Sequence, residues 1–362
     1  MRFPSTIAIG AASLVATTVA VWMARSRKRL QRRCLTLVQE IPLLLPDDQR
    51  GLRAFAEGRI DHFACDPAHK LLFVACLGED CVLIIDAFAG RVVRILRDGL
   101  SRPQGVLFVA ETNRLYVANA ADGVVVVFDA LTWERVGSID LGDEADNLRY
   151  DGDGRVFVGF GEGAIGVIED GTVRHDSATD LPCGEHPESF QLERRGEARR
   201  IWVNVADRRE VLVLDRSGAA PPLHWALPDG LGGNFPMHAD EDARLLFVGV
   251  RAPAHRSCIL VLDLDSGEEL RRVACAGDMD DLCFDARRSR LYVVSGTGRV
   301  VVLGRESAAE RASFAPICEL ETALGARTGF FYTERDSLYV AAPTSGGMPS
   351  RLLVFQGFGD GV

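Results

Sequence analysis

Lysine is almost missing from this 362-residue chain: Lys28 and Lys70 stand against 39 arginines, which leaves no good candidate for a Schiff-base former. Cysteine occurs nine times, but never as a CxxC pair or a CxxCH haem signature, and the irregular spacing argues against a disulfide framework. Cys65, Cys258 and Cys283 sit in apolar strand contexts, where cysteine packs as a small hydrophobe. Cys76 and Cys81 flank a short hairpin turn and read as a buried free pair, with a cross-strand bond as the alternative. No stretch of helical length carries a 3.6-residue apolar period, which excludes a helical body. No GxSxG elbow exists, and no serine is placed against a histidine and an acid, so the usual nucleophile signatures are lacking. Trp133, Trp202 and Trp225 lie in the body and none precedes an aspartate, which argues against WD repeats.

Acidic residues are absent from positions 1–33, which carry seven basic ones: Arg2, Arg25, Arg27, Lys28, Arg29, Arg32 and Arg33. The rest of the chain then holds 34 basic against 51 acidic residues, a formal charge of −17, and a body so acidic repels phosphate backbones. Nucleic acid is therefore not an expected partner. Residues 3–24 form an uncharged Ala/Val/Ile-rich run long enough to span a bilayer. Two readings fit it. The basic cluster from Arg25 to Arg33 favours an uncleaved single-pass anchor; the small residues around Thr18-Val19-Ala20 suit a cleavable export signal. The chain thus divides into a hydrophobic anchor or signal with its basic flank (1–33) and a body (34–362), with the side of the membrane left open.

What the body has in abundance is one phrase, an aliphatic residue, an aromatic ring and valine. It recurs at Leu72-Phe73-Val74, Leu115-Tyr116-Val117, Val156-Phe157-Val158, Ile201-Trp202-Val203, Leu246-Phe247-Val248, Leu291-Tyr292-Val293 and Leu338-Tyr339-Val340. The aromatic positions are 43, 41, 45, 45, 45 and 47 residues apart, the length of one four-stranded propeller blade. The second repeat reads as strands Val106–Val109, Arg114–Ala118, Val124–Asp129 and Arg135–Ile139, separated by Asn- and Gly-bearing turns. The last repeat runs out after Leu352–Phe355, and Leu35–Leu43 is expected to supply its fourth strand, which would remove both sheet edges. The fold class expected is all-β, a seven-bladed β-propeller closed by an N-terminal strand.

Leu115-Tyr116-Val117-Ala118-Asn119 and Val125–Asp129 followed by Glu134-Arg135-Val136 resemble the YVTN-type propeller repeat. The phrases Gly58–His62, Arg102–Gly105, Ala145-Asp146-Asn147, His186–Phe190, Asn234–Met237 and Ala326-Arg327-Thr328 resemble its YncE-like branch, one per blade and in order. The resemblance spans residues 35–356. It implies a seven-bladed propeller, commonly exported or envelope-associated and usually without an assigned reaction.

Chemistry is sought where the loops entering each innermost strand converge on one mouth of the central channel. Counting back from each repeat phrase aligns Asp61, Gln104, Asp146, Glu188, Phe235, Asp280 and Thr328 in one ring, and His62, Gly105, Asn147, Ser189, Pro236, Asp281 and Gly329 in the next. Asn234 and Arg327 belong to the column before, and His186 lies two residues ahead of Glu188. Carboxylates so close raise one another's pKa unless a cation answers them. The candidate ligand-binding set is Asp61, His62, Gln104, Asp146, Asn147, His186, Glu188, Asn234, Asp280, Asp281 and Arg327. The leading expectation is a membrane-tethered or exported binding scaffold that takes a cationic or polyhydroxylated small molecule, a peptide or a protein partner in this funnel. The alternative is a lactonase-like hydrolase with a divalent metal on Glu188, Asn147, Asn234 and an aspartate, and His62 or His186 as base. Polar, wet turn loops without a ligand are the plain reading beside both. Gly159–Gly163 joins two strands with no helix after it and is no phosphate cradle; Asp151–Gly154 is a hairpin turn; His69, His175 and His224 are expected at the outer surface. The loop holding Arg251 and His255, and that at Pro343–Ser350, are expected at the channel rim.

Overall fold

The repeat phrase forms the second strand of every blade, and its three residues face two ways. The computed structural model describes residues 35–44, 56–172, 175–196 and 199–357, and these fold into seven four-stranded antiparallel sheets. Successive side chains on a strand point to opposite faces. Leu115 and Val117 accordingly pack into the cluster shared with the preceding blade, beside Phe73 and Val82. Tyr116 packs into the cluster shared with the following one, beside Val156 and Val158. The pattern repeats seven times. Phe157 sits with Ile201 and Val203, Trp202 with Leu246 and Val248, Phe247 with Leu291 and Val293, Tyr292 with Leu338 and Val340, and Tyr339 with Leu72 and Val74. All seven rings are fully buried. The hydrophobic core is therefore seven separate seams between blades, each filled by an aromatic ring from one blade and aliphatics from the next.

In the second blade the strands are Pro103–Val109, Arg114–Asn119, Val124–Asp129 and Arg135–Asp140, close to the sequence expectation. In the seventh, Thr328–Tyr332, Ser337–Ala342 and Arg351–Gly357 are joined by Leu35–Pro42, which pairs antiparallel with Arg351–Gly357. Ile41 of that strand is buried in the seam toward the first blade and Leu35 in the seam toward the sixth. The only helical elements among the described residues are four single turns, at Leu77–Glu79, Ser177–Thr179, Ala254–Arg256 and Thr333–Arg335. None of them is long and apolar enough to cross a membrane. The hydrophobic run 3–24 and its basic flank lie outside the described residues.

Of the described cysteines, Cys76 and Cys81 are free and lie directly opposite each other across their hairpin. Cys318 is disulfide-bonded.

Candidate functional site

The innermost strands do not run in simple register at the channel mouth. The pairing of the first two strands of a blade slips between Pro103 and Val106, between Ala145 and Leu148, between Asn234 and Met237, and between Met279 and Asp281. In the first blade Asp61 N donates to Ala75 O while His62 O accepts from Ala75 N. Glu188 and Ser189 share Asn204 in the same way. Two residues thus oppose one in six of the seven blades. A bulge of this kind bends the strand and re-aims consecutive side chains. Here it lets Asp61 with His62, Asp146 with Asn147, Glu188 with Ser189 and Asp280 with Asp281 all line the same cavity.

That cavity, about 450 Å³, follows the innermost strands from the channel mouth toward their far ends, where Phe284 and Phe331 line it. Beneath the polar mouth its wall turns apolar, with Phe63, Val106, Leu148, Met237, Leu282 and Phe330, and Phe63 stacks on Phe330 at 6.2 Å. Deeper still are Arg149, Gln191, His238 and Cys283. Glycine is required at Gly105, where a Cβ would stand 1.9 Å from Asp146 O, and at Gly329, where it would stand 2.7 Å from Val294 Cγ2.

Charge is matched on one side of the mouth. Arg59 Nε lies 3.0 Å from Asp61 Oδ2, and its Nη2 lies 3.7 Å from Asp280 Oδ2. Arg251 pairs with Asp280 and stacks on the Phe235 ring at 4.0 Å. His62 Nε2 stands between two carboxylates, 3.7 Å from Asp61 Oδ1 and 3.6 Å from Asp146 Oδ1. Burial alone would drive its imidazole toward the neutral form, but Asp146, Asp61 and Asp281 outweigh that and push its pKa up to about 9. Burial pushes the Asp61 carboxyl up against the pull of His62 and Arg59. It also raises Asp281 to about 6, despite His62 and the Gly329 N–H that donates to Oδ2 at 3.0 Å.

The other side is not matched. Asn147 is buried; its Nδ2 donates to Glu188 O at 2.9 Å and to Asp146 Oδ2 at 3.3 Å, while its Oδ1 has no hydrogen-bond partner. The Glu188 side chain, on the same wall, makes no hydrogen bond or ion pair with the described residues. Burial therefore lifts its pKa to about 7, with His186 opposing and Asp146 adding to the shift.

Seven of the eleven residues singled out in the sequence line this cavity: Asp61, His62, Asp146, Asn147, Glu188, Asp280 and Asp281. Four do not. Gln104 turns to Glu144, donating from Nε2 at 3.3 Å. His186 Nδ1 bonds Gly161 O at 2.7 Å. Asn234 is fully buried and braces its neighbour, donating to Asn204 Oδ1 at 3.1 Å and to Glu210 O at 2.9 Å. Arg327 pairs with Asp278 at 3.3 Å. Arg149 and Arg194, unnoticed in the sequence, line the cavity; Arg251 meets the ring through Asp280 and Phe235, at the end of an extended strand Leu245–Ala252. Arg149 stands three positions after Asp146 on the same strand, a spacing that the repeat alignment contained.

The arrangement offers little to nucleophilic chemistry. Ser189 Oγ donates to Phe235 O at 2.6 Å and has no base beside it. Burial holds the Cys283 thiol well above its ordinary pKa, so it is not a thiolate. Among the described residues no three His, Cys, Asp or Glu side chains converge closely enough to hold a metal ion, and Asn234 of the expected metal set faces away from the channel.

Fold and site together define a seven-bladed β-propeller with an acidic, partly unmatched channel mouth. No family model matches the chain, and no curated protein does so either. Among solved structures it is similar to a chain of hydrazine synthase from Kuenenia stuttgartiensis, with a TM-score of 0.68 and 15% identity over 82% of this chain and 94% of that one. Similarity at that level of identity is similarity of fold.

Proposed function

We propose that this protein is a non-catalytic binding scaffold, a propeller of the YVTN type in its YncE-like branch, carried at a membrane or exported by residues 3–24. Its ligand is a small molecule or peptide taken into the channel mouth. The observation that carries the reading is the cavity itself: about 450 Å³, with carboxylates from four blades brought to its mouth by strand bulges. Bulged positions that aim neighbouring side chains into one concavity are where folds place binding groups. Ser189 and Cys283, the serine and the cysteine that line the cavity, are not activated, which favours binding over group transfer.

Native mass spectrometry of the full chain, purified gently from its source membrane or medium, tests this. A co-purifying small molecule or peptide is expected on the wild type and is expected to be lost from Asp146→Ala, with β-sheet circular dichroism unchanged. Retention of the same adduct by the variant would move the binding site away from the channel. Protease accessibility on intact cells, with and without permeabilisation, tests the membrane placement.

A further inference from the structure

The polar groups of the channel mouth are not all paired among the described residues. The guanidinium groups of Arg59 and Arg251 are engaged by Asp61 and Asp280. His62 is engaged by Asp61 and Asp146. Two acceptors on the Glu188 side stay open among the described residues: the Glu188 carboxylate, which none of them meets with a hydrogen bond or ion pair, and the buried Oδ1 of Asn147, which has no donor; Arg149, also without an ion pair there, lies farther along the channel and donates to Leu148 O at 2.8 Å. Asn147 cannot resolve this by turning over its amide, because its Nδ2 already donates to a carbonyl oxygen, Glu188 O. A buried acceptor without a donor costs about 1–3 kcal/mol, so the site favours a molecule that brings donors. An ordinary divalent cation is disfavoured, since among the described residues no three His, Cys, Asp or Glu side chains gather around a common centre. Next to this polar corner the wall is apolar, through Leu148, Met237 and Leu282.

We propose that the channel mouth binds an organic ammonium ion, its N–H groups shared by the Glu188 carboxylate and Asn147 Oδ1 and its apolar body lying against Leu148, Met237 and Leu282. An ammonium brings up to three donors and a full positive charge to a carboxylate that pairs with no described cation. A polyol brings donors without charge and leaves the half-buried Glu188 carboxylate without a counter-charge. The proposal rests on the channel being the binding site and names what it binds.

The probe is 2-phenylethylamine, titrated calorimetrically into the full chain at pH 8, with neutral 2-phenylethanol and the polyol sorbitol as controls. Saturable amine binding is expected, with the alcohol at least tenfold weaker. Glu188→Gln, nearly isosteric, is expected to weaken the amine at least tenfold without weakening the alcohol. At pH 6.5 the wild type should release protons on binding the amine, seen as a dependence of the heat on buffer ionisation enthalpy, and Glu188→Gln should not. Equal binding of amine and alcohol, no saturable amine binding, or an unaltered Glu188→Gln variant overturns the ammonium assignment. If the amine fails while sorbitol, or the co-purifying ligand, binds in an Asp146-dependent way, the scaffold reading stands and only the ligand class falls. If the amine binds equally well to Asp146→Ala and Glu188→Gln, the channel is not its site and the channel reading falls with it.

Discussion

Glu188 shows how a single side chain reports on its surroundings. With no described residue donating to its carboxylate, burial outweighs the pull of His186 and Arg251 and raises its pKa from an ordinary 4.5 to about 7. Between those values the folded protein binds a proton that the unfolded chain releases, so this group makes stability fall as the pH rises through that window. Glu188→Gln removes the penalty. At pH 8 the variant is expected to be more stable than wild type by about 1–3 kcal/mol, and at pH 4 the two should be equal, by urea denaturation at each pH. A difference that does not change with pH would mean that Glu188 is not held in its protonated form by burial. The carboxylates themselves were legible in the sequence, because counting back from each repeat phrase placed Asp61, Asp146, Glu188 and Asp280 in one ring. The direction of individual side chains was not. Gln104 belongs to the same ring yet turns to Glu144, and Asn234 turns away to brace Asn204. Counting fixes where a Cα lies; which way its side chain leaves depends on donors and acceptors contributed by other blades.

At the scale of strands, the repeat shows four strands per blade and places Arg114–Asn119 and Val124–Asp129 to within a residue, whereas the innermost strand begins at Pro103, three residues before the expected Val106. The apolar alternation that marks them is local. The bulges at the mouth are not marked in this way, since a slipped pair such as that between Ala145 and Leu148 is set by its partner strand and by the neighbouring blade. Gly105 is the one residue whose identity exposes the arrangement, because its missing Cβ leaves room for Asp146 O. Gly105→Ala is expected to push the second and third blades apart at this point and cost about 1–3 kcal/mol or more. Thermal denaturation checks the loss. A variant as stable as wild type would show that the blades yield there without strain.

For the whole molecule, stability is distributed over seven seams, and the phrase that announced seven blades turns out to be what joins them. Two hydrogen bonds reinforce the direction of the joint: Tyr116 Oη donates to Asp170 Oδ1 in the third blade at 2.6 Å, and Tyr339 Oη donates to Ala87 O in the first at 3.3 Å. A chain ended after residue 324 would keep six blades. It would present the Tyr292 ring at one end and, at the other, the seat formed by Leu72 and Val74 that Tyr339 fills in the intact protein. Sedimentation of such a truncated chain is expected to show oligomers that grow with concentration, whereas the intact chain shows no such growth. A truncated chain that stays monomeric and folded would mean that the seams do not depend on their neighbours.

That expectation follows from a polarity in the seams. Every blade passes its aromatic ring forward and receives one from behind, so each contact joins two different surfaces, head to tail. Contacts of that kind have no natural end: they either return to their start or continue from molecule to molecule as a filament. Seven blades bring the last ring back to the first seat, and closure of the circle is what keeps this chain from being a polymer.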